Sequence, residues 1–129
     1  MSDARLCPNV TVESVRVHED SRGQLIKAWP HAVTGEVYVV EIRSNESRGH
    51  HIHHNGAEWF VPLVGTATLV VEDPNTGARR VVRLDGVRAR VEPQMAHALF
   101  ALDGDAWVLA VADCTPEEEQ TVPYAVDAP

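Results

Sequence analysis

From Val10 onward, apolar and polar positions alternate with a period of two through most of the chain, the pattern of strands that bury one face. Val10 and Val12, then Val15 and Val17, keep this alternation across a one-residue slip at Ser14, which predicts a strand with a bulge or break. Asp20-Ser21-Arg22-Gly23 is a turn sequence, since Asp caps its own backbone and Gly takes positive φ freely; a strand over 24–29 should follow. Residues 30–35 read as a loop. Residues 36–43 (EVYVVEIR) form a strong strand with Tyr38, Val40 and Ile42 on one face.

Beyond residue 65 the same rhythm continues. A β-rich run over 66–72, the turn 73–77 with its Pro and Gly, and a return over 78–84 predict a hairpin. Asp85-Gly86 turns again, 87–91 is a short strand, 92–96 interrupts, and 107–112 is the last strong strand. Thr115-Pro116-Glu117-Glu118-Glu119 is the one helix-start signal, with Thr as N-cap and Pro at the first helical position, and supports one turn at most. Residues 1–8 read as a frayed terminus and those after Tyr124 as a loose tail. Short strands with turns every eight to twelve residues predict an all-β sandwich or barrel, a single domain whose core spans about 10–112.

One stretch, Arg48 to Gly65 (RGHHIHHNGAEWFVPLVG), concentrates chemistry. Asn55-Gly56 is the dipeptide most favoured in a two-residue hairpin turn. Such a turn pairs the strands 50–54 and 57–61 and sets His53 opposite Glu58. His51 and His53, about 6.6 Å apart along a strand, then share one face with Glu58, while His50, Ile52 and His54 point the other way. Two imidazoles and a carboxylate suit a divalent metal such as Zn, Fe, Ni or Mn, and equally suit acid/base chemistry near neutral pH. Pro62 cannot donate a ladder hydrogen bond, so its position must be an edge, a bulge or an unpaired side.

Composition narrows the function classes. The 129 residues are 44% hydrophobic, enough for one core, and the net charge of −8 argues against a nucleic-acid or anionic-membrane surface. The cations are ten Arg and one Lys; a few Arg in a pocket can hold a diphosphate by bidentate hydrogen bonds. Cys7 and Cys114 form no CxxC and read as free thiols. Without a charged-then-apolar leader or a run of eighteen apolar residues, a cytoplasmic protein is expected.

The spacing of His51, His53, Glu58 and Gly65 resembles the first motif of the cupin superfamily, and Gly86, Pro93 and His97 resemble the second. The resemblance implies a jelly-roll β-barrel in which His97 joins His51, His53 and Glu58 inside the barrel. DSRGQL at 20–25 is similar to the DxRGxL stretch of the nucleotide-sugar 3,4-ketoisomerases and dTDP-4-dehydrorhamnose 3,5-epimerases. RGHHIH at 48–53 and PQMAH at 93–97 resemble the ketoisomerase RGxHxH and short-spaced PxxxH. RGHHIHHNGAEWF also looks like a segment of the capsular-polysaccharide assembling proteins, whose cupin domain is a metal site.

By this resemblance His51 and His53 are the active-site histidines, Tyr38 and Arg48 line the pocket, and Arg48 with Arg22 or Arg43 meets a diphosphate. The implied activity is isomerisation, most simply a 3,4-keto shift, of a nucleotide-linked 4-keto-6-deoxy sugar. Glu58 departs from the ketoisomerase pattern and points to a divalent metal held by His51, His53, Glu58 and His97. No organic cofactor is expected. The competing readings are a sugar epimerase, a metal-dependent dioxygenase or lyase, and a non-catalytic sugar-binding cupin. The expected partners are a nucleotide-sugar substrate and a second copy of the chain, because open jelly-roll sheets have edges to bury.

Overall fold

The computed structural model describes residues 9–129. The expectations for residues 1–8, including Cys7, lie outside the described residues. Two five-stranded antiparallel sheets form the body, and they are the jelly-roll sandwich expected from the motifs. The first sheet runs in the order β1 (Val10–Ser14), β9 (Val87–Val91), β6 (Glu58–Val64), β11 (Ala106–Ala112), β4 (Val37–Ile42). The second runs β12 (Thr121–Pro123), β5 (Ser47–His53), β10 (Ala96–Phe100), β7 (Ala67–Glu72), β8 (Arg79–Leu84). A separate hairpin, β2 (Arg16–Asp20) with β3 (Gly23–Lys27), pairs with neither.

The period-two alternation explains which side chains fill the space between the sheets. Phe60, Val91, Val108 and Ala110 from the first sheet meet Leu69, Val71, Leu84 and Leu99 from the second in one buried cluster. The alternate positions of the second sheet, Ile52, Val70, Ala98 and Phe100, face outward, yet they too are buried. The C-terminal segment covers them: Val126 is 4% exposed, and the Tyr124 hydroxyl donates to Glu72. The residues that read as a loose tail are therefore a strap. Their apolar content is too sparse to announce itself, because one Tyr and one Val suffice to cover a narrow strip of five residues, two of them alanine.

Most strand and turn expectations hold. The slip at Ser14 is the break between β1 and β2, and Asp20 Oδ1 accepts the Arg22 backbone N–H at 2.8 Å in the β2–β3 turn. Pro62 sits beside a bulge at Leu63 of β6, opposite the step from Trp107 to Val108 in β11, and beyond the last residue of β6 that pairs with β9. The helix α1 (Pro116–Glu119) is a single turn begun by Thr115, whose backbone N–H donates to Glu118 Oε1 at 2.9 Å. β10 was not anticipated; AHALF is buried at every position and so shows no alternation to read.

The hairpin across Asn55-Gly56 is not formed. β5 and β6 lie in opposite sheets, and neither Asn55 nor Gly56 takes a positive φ. Both residues serve tertiary contacts instead. Asn55 Nδ2 donates to the Glu118 carbonyl at 2.8 Å, and a side chain at Gly56 would strike Cys114 Sγ. Glu58 nevertheless meets His53, because the two strands face each other across the core rather than along a ladder.

Gly65, between β6 and β7, has φ +68, and a Cβ there would collide with the Asp105 carbonyl oxygen; Gly77 has φ +76 with open space around it. Gly77→Ala is expected to cost only the left-handed backbone penalty of roughly 1–2 kcal/mol. Gly65→Ala should add an overpacking cost of roughly 1–3 kcal/mol. Urea unfolding of the two variants measures the difference, and equal midpoints would show that the Asp105 backbone gives way freely.

Candidate active site

The site is assembled from four strands that carry side chains to the inner face of the sandwich. β5 and β10 pair with His51 opposite His97, which places these rings side by side on the second sheet. Across the core, β6 contributes Glu58 and Phe60, and β4 contributes Tyr38. The His51 ring centroid lies 4.5 Å from that of His53 and 4.9 Å from that of His97, and the His53 and His97 rings stack at 5.2 Å. One ligand atom from each of His51, His53, Glu58 and His97 falls within 4.8 Å of all the others. The four residues expected to converge do converge.

A break in strand phase brings Arg48 to the same place. Alternation would send residues 48 and 51 to opposite faces, but Gly49 (φ 100) and His50 (φ 57) form a bulge where β5 shifts register against β10. Arg48, Gly49 and His51 consequently line one cavity of about 120 Å³, together with Tyr38, Glu58, Phe60 and His97. A side chain at position 49 would press on the His97 carbonyl oxygen at 3.1 Å, so Gly is needed for close approach as well as for φ. His50 turns outward, accepting the Val126 N–H on Nδ1 at 3.1 Å.

Arg48 also borders a larger recess of about 480 Å³, shared with Arg43, Glu41, Glu46 and Ser47. Arg43 is thus next to the cavity rather than in it, and lies 3.7 Å from Glu41. Arg22 is elsewhere: it sits at the tip of the β2–β3 hairpin, its side chain 87% exposed, gripping Asp20 at 2.7 Å. Within one copy of the chain the structure does not bring Arg22 to the histidines.

Glu58 is 2% exposed, and an ionised carboxylate there needs compensation. Burial works to raise its pKa, but the adjoining rings of His53 and His97 and the Tyr38 hydroxyl outweigh it and hold the carboxyl well below its usual range. Tyr38 Oη donates to Glu58 Oε2 at 2.6 Å, while Oε1 lies 3.2 Å from His53 Nε2 and 3.6 Å from His97 Nε2. Burial and the charge of Glu58 push the Tyr38 phenol far up, so it stays protonated. Burial, with His97 and His53 beside it, lowers His51 to about 4. Burial also opposes protonation of His53, but Glu58 and Glu119 overcome it and raise that ring.

Glu119 is the residue that the sequence did not reveal. It is buried, and its Oε2 lies 2.7 Å from His53 Nδ1, with the Thr121 hydroxyl 3.3 Å from Glu119 and 3.2 Å from the ring. In sequence it is the last of three glutamates in a helix start, where acids are explained by the helix terminus alone.

The donor set fits a divalent cation. His53 Nε2, Glu58 Oε1 and both nitrogens of His97 are buried without a hydrogen-bond partner among the described residues, an arrangement that is costly unless something binds there. Three imidazoles and one carboxylate suit the borderline metals.

The sequence model for the polysaccharide biosynthesis C-terminal domain matches residues 18–106, more than half of the chain. The protein belongs to that family. No curated protein matches this chain in sequence. Its fold is that of a dTDP sugar isomerase from Desulfovibrio desulfuricans G20, with a TM-score of 0.82 at 19% identity over 92% of this chain and 85% of that one. A 3'-monoepimerase from Streptomyces bikiniensis in complex with dTDP-quinovose is similar at TM-score 0.77 and 18% identity, over 89% and 69% of the two chains. A sugar 3,4-ketoisomerase from Thermoanaerobacterium thermosaccharolyticum in complex with TDP follows at 0.72 and 19%, over 88% and 87%. At these identities the likeness establishes the cupin fold of this family member.

The lowered pKa of His51 makes a statement about stability. An unfolded histidine titrates near 6.5, so between pH ~6.5 and ~4 the unfolded chain binds a proton that the folded His51 refuses. Stability of chelator-treated protein should therefore fall as pH drops through that window, and His51→Gln should fall less steeply. Urea midpoints at pH 4.5 and 7 measure this; parallel curves for the two proteins would show that His51 is protonated as easily folded as unfolded.

Proposed function

We propose that the domain is a nucleotide-sugar isomerase that moves protons at the carbons beside the carbonyl of a nucleotide-linked 4-keto-6-deoxy sugar, most simply as a 3,4-keto shift. The observation that carries this reading is the cavity that His51, Tyr38 and Arg48 line together, with the His53 ring 4.5 Å from that of His51. Histidines inside a β-sandwich beside a cation suit proton transfer on an anionic substrate better than they suit a passive core. The family and the cupin fold, with solved relatives described as sugar isomerases and epimerases, support the same reading.

The cavity of about 120 Å³ is smaller than a typical ligand pocket, so only the reacting edge of a sugar enters it. The recess beyond Arg48 is large enough for a diphosphate, which Arg48 and Arg43 meet by charge-assisted hydrogen bonds. In the keto shift a base takes the proton from C3, made acidic by the C4 carbonyl, as that oxygen gains a proton to give an enediol. The C3 hydroxyl then loses its proton while C4 gains one, so no proton is consumed overall. His51, neutral at pH 7, and His53 are the proposed proton carriers, and Tyr38, its hydroxyl donated to Glu58, lines the cavity beside them. An epimerase uses the first half of the same sequence and returns the proton to the other face.

Glu58 favours a second form of the same reading, in which His51, His53, Glu58 and His97 hold a divalent ion. A bound ion would supply Lewis-acid stabilisation of an enediolate oxygen. A ring nitrogen that binds metal cannot also carry the proton, so in this form a group other than the ligating rings moves the proton. We further propose a homodimer, since β2 and β3 project with Val17 and Leu25 each 49% exposed, and a second subunit could bring its own Arg22 to the recess. Sedimentation at micromolar concentration is expected to give a dimer; a stable monomer would refute this.

Incubation with keto-sugar nucleotides in D₂O should introduce deuterium at C3 or C4. His51→Asn or His53→Asn should slow this by ~10²- to 10⁴-fold while nucleotide binding survives. Absence of deuterium in several such sugars, with binding intact, would make the domain a binding module. Metal analysis of protein purified without a histidine tag separates the two forms: metal at one equivalent that is lost in Glu58→Gln supports the ion, and metal-free protein with a fully active Glu58→Gln excludes it.

A further inference from the structure

The C-terminal segment reaches the site by a route independent of the sandwich core. β12 pairs with the free edge of β5, setting Thr121 opposite His53, and α1 just before it ends at Glu119. Glu119 Oε2 thereby comes within 2.7 Å of His53 Nδ1. The other ring nitrogen, Nε2, faces Glu58 Oε1 at 3.2 Å and has no hydrogen-bond partner among the described residues. A neutral imidazole has one N–H, and two carboxylates stand at its two nitrogens. Which one receives the N–H decides which nitrogen presents a lone pair, and to what.

Distance and geometry favour Glu119. Its contact is 0.5 Å shorter than that of Glu58, whose facing oxygen is also approached by His97. Glu58 already accepts from the Tyr38 hydroxyl on its other oxygen, whereas among the described residues Glu119 has Thr121 alone besides His53. Glu119 is also held rigidly. Its backbone carbonyl accepts from the N–H groups of His54 and Asn55, each at 3.2 Å, locking the helix turn against the end of β5.

We propose that Glu119 is a positioning residue that accepts the His53 Nδ1–H and so leaves Nε2, with its lone pair, facing the cluster of His51, Glu58 and His97. A fixed tautomer and ring orientation serve a proton carrier and a metal ligand alike, and loss of such partners typically costs 10- to 100-fold in activity or metal affinity. The catalytic consequence rests on the isomerase reading above; the tautomer does not.

The test reads both. ¹⁵N NMR of histidine-labelled, chelator-treated protein distinguishes imidazolium, Nδ1–H and Nε2–H forms. On raising the pH until the His53 imidazolium signal is gone, wild type should show Nδ1–H at His53. Glu119→Leu, similar in size but without an acceptor, should shift the ring toward Nε2–H donated to Glu58. Glu119→Gln, which can still accept through its amide oxygen, should retain Nδ1–H. An Nε2–H signal in the wild type overturns the proposal without any variant being needed, as does an unchanged tautomer in Glu119→Leu. In the D₂O assay, Glu119→Leu should lower the exchange rate 10- to 100-fold with KM within about threefold, and Glu119→Gln should recover most of it. An exchange rate in Glu119→Leu within twofold of wild type would refute the catalytic consequence. If no sugar exchanges even with wild type, the isomerase reading fails while the tautomer spectrum still decides the role of Glu119.

Discussion

A carboxylate placed in the dry interior of a β-sandwich is the constraint around which the remaining site is arranged. Glu58 has almost no access to solvent, and its ionised form persists because Tyr38 donates to one oxygen and the His53 and His97 rings crowd the other. Each of those partners comes from a different strand, β4, β5 and β10, so satisfying one charge ties both sheets together. The effect propagates outward: rings drawn to Glu58 crowd His51, and crowding plus burial keep His51 neutral. A core that could have been filled with leucine instead holds groups whose protonation states differ sharply over a few ångströms.

How much of this could be read from the chain depends on what sort of regularity carried it. The β-hairpin 67–84, the short strands and the shared face of His51 and His53 follow from alternation, a local property, whereas His97 joins them only through the resemblance of the motifs. Asn55-Gly56 does not turn the chain because a local turn preference yields to tertiary packing. His54, Asn55 and Gly56 are instead fixed by Glu118, Glu119 and Cys114, some sixty residues away. The contact between His53 and Glu58 was nonetheless correctly anticipated, since facing strands of a sandwich and paired strands of a hairpin can bring the same two side chains together.

What stayed hidden shares one physical origin. β10 is buried on both faces, so its five residues carry no polar phase marker. Arg48 enters the cavity through a bulge that resets the phase of β5, and nothing in the letters Gly49-His50 states that a register shift occurs there. Glu119 touches His53 only because β12 finds the edge of β5. In every case a long-range pairing supplies the information.

The strap formed by residues 116–126 bears on when the molecule becomes competent during folding. The rings of His51 and His53 belong to the first half of the sequence, His97 to the second, and the covering Tyr124 and Val126 arrive later still. Contacts across such separations close late, after the entropy of large loops has been paid. The outer face of β5 and β10 therefore remains bare on any partly folded or nascent chain, an apolar strip beside an unpaired strand edge, where another chain can add before the molecule's own last strand does.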